Sequence, residues 1–111
     1  MTRDELCRVQ VDVYRRGGWR IVEEGDAEAV AVGEEGRRWY IFGVDAERAA
    51  DPDFERRIDE LREVRQGAPG PSWRCPVDLV VTQQNEEAAT ELLRRLRLHD
   101  AAHVNVYTAT G

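Results

Sequence analysis

Lysine is absent: all sixteen basic side chains among the 111 residues are arginine. The omission removes the P-loop lysine, the Schiff-base amine and any lysine general base or electrostatic clamp. Cysteine is scarce as well. Cys7 and Cys75 lie far apart with no CxxC spacing, which reads as buried thiols rather than a redox pair or metal ligands. No apolar run approaches the roughly 18 to 20 residues that span a bilayer, and no secretory h-region follows Met1. No membrane partner is therefore expected, and the cytoplasm is the expected compartment. A net charge of −6 disfavours tight, nonspecific nucleic-acid binding, which depends on neutralising phosphates, although a local basic patch is compatible with it.

What is present suits one domain over residues 1–111, long enough to bury a core without staples. The central stretch is Arg37 to Glu47, RRWYIFGVDAE. Period-2 alternation sends Tyr40, Phe42 and Val44 to one face and Trp39, Ile41, Gly43 and Asp45 to the other, so both faces need cover. Upstream, Thr2 as N-cap with Asp4 and Glu5 in the first turn predicts a helix whose stripe is Leu6, Val9, Val13 and Tyr14, ended by Gly17-Gly18. The alternation of Cys7, Val9, Val11 and Val13 with polar residues supports a competing strand over residues 4–16. Trp19–Glu23 and Asp26–Val32 then read as strands, with Glu34-Glu35-Gly36 turning the chain into the central strand.

Downstream, Asp51-Pro52 opens a helix with the stripe Phe54, Ile58 and Leu61, continued by Val64 or Arg65. Gln66 to Pro76 is the one long loop, a candidate functional segment. Val77–Thr82 is a strand, Asn85 caps a helix from Glu86 to about Leu98, and His103–Thr108 is a closing strand. The expected fold is α/β in the order α-β-β-β-α-β-α-β, a mixed five-stranded sheet with helices on both faces.

This order, the YRRGGWRIV passage and an acid at Asp26 followed by a hairpin into an aromatic-rich strand resemble the restriction-endonuclease-like, or PD-(D/E)xK, nucleases, in particular the Holliday-junction-resolvase-like core. The resemblance implies a metal-dependent nuclease centre in which one Asp opens the second strand and a Glu-x-Lys lies on the third. Asp26 matches the first acid. The Glu-x-Lys position falls at Gly43-Val44-Asp45, where glycine replaces the acid and aspartate the lysine. The expectation is a catalytically degenerate domain serving as a binding or assembly module, not an enzyme and without cofactor. The alternative is a divergent nuclease whose Asp26 and Asp45, with Glu5 or Glu47, hold Mg²⁺ or Mn²⁺. A third is an acidic, dimerising α/β protein of no nuclease ancestry.

The net charge favours a protein partner, with Trp73 as an aromatic contact point, and a homo-oligomer is a further option. The arginine pairs Arg15-Arg16 and Arg37-Arg38 offer a route to nucleic acid. His99 and His103 flank a turn and read as surface or edge histidines rather than zinc ligands.

Overall fold

The computed structural model describes residues 1–64 and 74–109. Its order is α1 (Arg3–Arg16), β1 (Arg20–Gly25), β2 (Glu28–Val32), β3 (Arg38–Gly43), α2 (Ala46–Ala49), α3 (Pro52–Leu61), β4 (Val77–Thr82), α4 (Glu86–Arg95) and β5 (Val104–Ala109). The strands form one mixed sheet in chain order. β1, β2 and β3 make an antiparallel meander, and β4 and β5 then add in parallel. The expected sheet is present, with one element more than expected. Asp45 does not merely end β3: its carboxylate accepts from the Arg48 N–H at 2.8 Å and so N-caps the extra turn α2.

Residues 3–16 are helix, not strand. A capping box decides it locally: the Thr2 hydroxyl accepts from the Glu5 N–H, the Glu5 carboxylate accepts from the Thr2 N–H, and Arg15 and Arg16 close the dipole's negative end. The buried face differs from the expected stripe. Leu6, Cys7 and Val11 are buried and Gln10 and Tyr14 partly so, whereas Val9 and Val13 are 40% and 47% exposed. The reason lies below the helix, where a buried acceptor on β4 engages Gln10 and Tyr14.

Two apolar layers sandwich the sheet. Under α1, Ala27, Ala29, Ala31, Ile41 and Val80 meet Leu6, Cys7 and Val11. The alanines let the helix lie close, and Gly43 is required outright, since a Cβ there would stand 1.9 Å from the Arg3 carbonyl oxygen. On the other face, Tyr40, Phe42, Val44, Leu79 and Val81 pack against Phe54, Ile58 and Leu61 of α3 and Leu92 and Leu93 of α4. Both faces of β3 are therefore covered, as its alternation requires. Burying these side chains contributes on the order of 2 kcal/mol each before conformational entropy is subtracted.

Asp51 and Pro52 begin α3 as expected. Several boundaries move. Asp26 and Ala27 form the β1–β2 turn rather than the start of a strand, with Ala27 at a left-handed φ of 48°. α4 begins at Glu86 as expected, with Asn85 at its N-cap position, but the Asn85 side chain makes no cap and a 3-10 turn over Gln83–Asn85 leads into the helix. The helix stops at Arg95, short of Leu98, because Arg97 takes a φ of 58°. Arg65, Trp73 and most of the 66–76 loop lie outside the described residues.

Candidate functional site beneath helix α1

Helix α1 runs along β3 with its first turn over Gly43 and its last beside Trp39. At the first of these ends the β1–β2 turn delivers Asp26 and the β3–α2 junction delivers Asp45. Arg3 lies between them. Its Nε and one terminal nitrogen fork onto the two oxygens of Asp45 at 3.0 Å each, while the other terminal nitrogen reaches Asp26 at 3.1 Å. This is the bidentate geometry that a guanidinium supplies and an ammonium does not. Arg48 completes the cluster. It donates to the carbonyls of Asp26, Ala27 and Gly43 at 2.6, 3.2 and 3.0 Å and stands 3.3 Å from the Asp26 carboxylate.

Asp26 and Asp45 thus converge, each already facing guanidinium groups. Glu47 sits at the rim, 3.9 Å from Arg3, and Glu5 is turned away into the capping box. Burial alone would raise the Asp45 carboxyl; the Arg48 N–H and the Arg3 guanidinium outweigh it and hold the group below the usual carboxylate range. Among the described residues, no three His, Cys, Asp or Glu side chains are grouped so as to hold a metal ion.

A second carboxylate centre lies under the middle and far end of α1. Asp78, in β4, is fully buried. It accepts from the Tyr14 hydroxyl at 2.7 Å, Trp39 Nε1 at 2.8 Å, Gln10 Nε2 at 3.0 Å and Asn105 Nδ2 at 3.3 Å. All four donors are neutral side chains. They come from α1, β3 and β5, so one acid ties three elements together. Burial, reinforced by the bond to Asp78, keeps the Tyr14 hydroxyl protonated far above its ordinary range. Tyr14, Trp19 and Trp39 pack edge-on or tilted, with ring centroids 5.3 to 6.0 Å apart.

Arg15 and Arg16 close α1 at this end, and Arg37 and Arg38 lead into β3 here, so the two pairs share one end of the sheet. Arg15 stands 3.7 Å from Asp12. His99 is exposed and lies 3.2 Å from Asp100. Cys7 and Cys75 are buried on opposite faces with no disulfide, and burial pushes the Cys7 thiol up to about 11.

Arg3, Arg48 and Asp78 were not among the sequence candidates. Asp78 carried a signal, an acid inside the apolar run VDLVVT, which in a covered strand demands several donors. Arg3 carried none, since its partners are remote in sequence. No protein-family model, no curated protein and no solved structure matches this chain.

Proposed function

We propose that this chain is a catalytically silent domain of the restriction-endonuclease-like kind, serving as a binding or assembly module. The helix-first order, and the three-strand meander continued in parallel by β4, support the likeness. So does the meeting of Asp26 and Asp45 beside the end of β3.

The observation that carries the silence is the packing at Gly43. A Cβ at that position would meet the Arg3 carbonyl oxygen at 1.9 Å and the Cys7 backbone nitrogen at 2.9 Å, so the first turn of α1 fills the space an acidic side chain would need. Arg3 meanwhile lies across the two remaining acids, as a cation would. Mg²⁺ can be held by one or two carboxylates with waters completing its octahedron, but here the Asp45 and Asp26 oxygens are already engaged by the guanidiniums of Arg3 and Arg48. No lysine exists in the chain to assist a water. A protein partner accords with the net charge of −6.

The convergence of Asp26 and Asp45 is also what a divergent Mg²⁺- or Mn²⁺-dependent nuclease would use, and one assay separates the two. The purified chain is incubated with branched and single-stranded DNA in Mn²⁺, beside Asp26→Ala. The silent-module reading expects identical, background cleavage from both; cleavage abolished in a folded Asp26→Ala protein would establish the nuclease.

A further inference from the structure

The cover that α1 gives the sheet is uneven. Helical spacing puts Asp4, Arg8, Val11 and Arg15 on one flank of the helix, the one toward β1 and β2. β2 presents only alanine under the helix, Ala27, Ala29 and Ala31, and side chains this short leave space on that flank unfilled. The result is a cavity of about 240 Å³ between α1 and the β1–β2 hairpin, with Cys7, Val11, Ala27 and Ala29 as its buried floor. Sites for drug-sized ligands run to roughly 300 to 1,000 Å³, so this one suits a smaller molecule.

The rim carries charge of both signs. Glu23 pairs with Ala29 across the β1–β2 ladder, so its side chain stands on the α1 face of the sheet, on the side of the cavity across from Arg8. Asp4 lies about one helical turn from Arg8 toward the hairpin, and Arg15 about two turns the other way. The acids therefore gather at the hairpin end and the arginines toward the C-terminal end of α1. Asp4, Arg8 and Glu23 make no ion pair or side-chain hydrogen bond among the described residues, although Asp4 and Arg8 are four apart on one helix. Arg15 has Asp12 at 3.7 Å. Glu28, also on the rim, is taken by Arg57 of α3 at 2.6 Å.

We propose that this cavity binds a free α-amino acid with an aliphatic side chain. The ammonium group lies between Asp4 and Glu23, the carboxylate takes the forked donors of Arg8 with Arg15 behind it, and the side chain rests on Val11 and the alanines. Charge complementarity selects the class. An anion would face Asp4 and Glu23, a cation would face Arg8 and Arg15, and an uncharged apolar molecule would strip water from all four without replacing it. A small zwitterion satisfies both signs at once. The four charged side chains are exposed, so solvent screens them, and the expected affinity is roughly millimolar. The site uses neither Asp26 nor Asp45 and does not depend on the silent-module reading.

Amide NMR of the isotope-labelled full chain, titrated into the millimolar range with L-leucine and with L-valine, tests it. Two analogues run alongside: 4-methylpentanoic acid keeps the leucine side chain without the ammonium, and isopentylamine keeps it without the carboxylate. The expected result is saturable shifts confined to α1 and the β1–β2 hairpin with the amino acids, and binding about tenfold weaker for either analogue. Arg8→Ala and Glu23→Gln, both at exposed positions, are each expected to weaken leucine binding by about tenfold while keeping the wild-type amide spectrum. Absence of saturable shifts with both amino acids overturns the proposal. So do analogues that bind as well as leucine, or folded variants that bind it as the wild type does. A leucine-binding chain that also cleaves DNA with Mn²⁺ would overturn the silent-module reading and leave this one standing.

Discussion

The two carboxylate centres under α1 satisfy their acids by opposite means. At the N-terminal end, Asp26 and Asp45 are balanced by Arg3 and Arg48, charge against charge, with the Asp26 side chain 66% exposed. Under the rest of the helix, Asp78 is fully buried and faces hydroxyl, indole and amide donors with no guanidinium among them. Exposure accounts for the difference in what each can contribute. Solvent screens the first centre, so its pairs add little stability individually, whereas the second, removed from water, is costly to disturb. The first centre lies beneath the first turn of α1, and the second ties the rest of the helix to β3, β4 and β5.

The largest expected effect comes from forcing the two apart at Gly43. Gly43→Ala puts a methyl 1.9 Å from the Arg3 carbonyl oxygen and 2.9 Å from the Cys7 nitrogen, a clash with the backbone of α1 that no rotamer relieves, and is expected to cost about 3 kcal/mol or more in chemical denaturation. Wild-type stability in this variant would mean that α1 lifts freely and that the N-terminal centre is not closed by packing. Next comes Asp78→Ala, expected to cost about 2 to 3 kcal/mol, because four donors lose their acceptor while Tyr14 and Trp39 recover part of it from water. Asp78→Asn should recover little, since its amide brings N–H groups toward donors. A neutral Asp78→Ala would show that the apolar layer alone seats the helix.

The smallest effect belongs to the part-buried Arg3–Asp45 pair and is legible in pH. The folded-state Asp45 carboxyl is lowered, so its stabilisation is fully present above the unfolded value near ~4 and is lost as pH falls through the lowered folded value. Thermal melts should show the loss below about pH 4. Arg3→Ala should cost about 1 kcal/mol at neutral pH and flatten this acid limb, an effect that added salt also diminishes. An unchanged limb in Arg3→Ala would assign the depression to the Arg48 N–H alone.

Much of the fold was legible because it rests on local rules. The alternation of Trp39 through Val44 marked a strand covered on both faces, and Asp51-Pro52 marked the start of α3. The seat of α1 was not legible. Valines at Val9 and Val13 outweigh Gln10 on any hydrophobicity count, yet Gln10 turns inward because Asp78, distant in sequence, awaits a donor. The same holds at the acids. Asp26 and Asp45 could be singled out by residue type, but the guanidinium between them comes from Arg3, at the other end of the sequence, and only the packing of α1 on Gly43 brings it there.

The account stands most directly on whether Asp26 and Asp45 are held by arginine or are available to a cation. Isothermal titration of the full chain with Mn²⁺, beside Asp45→Ala, decides it. The account predicts no saturable heat from either protein at neutral pH, the guanidinium of Arg3 keeping its fork on Asp45. Micromolar binding by the wild type that Asp45→Ala abolishes would contradict it and make the centre beneath α1 a metal site.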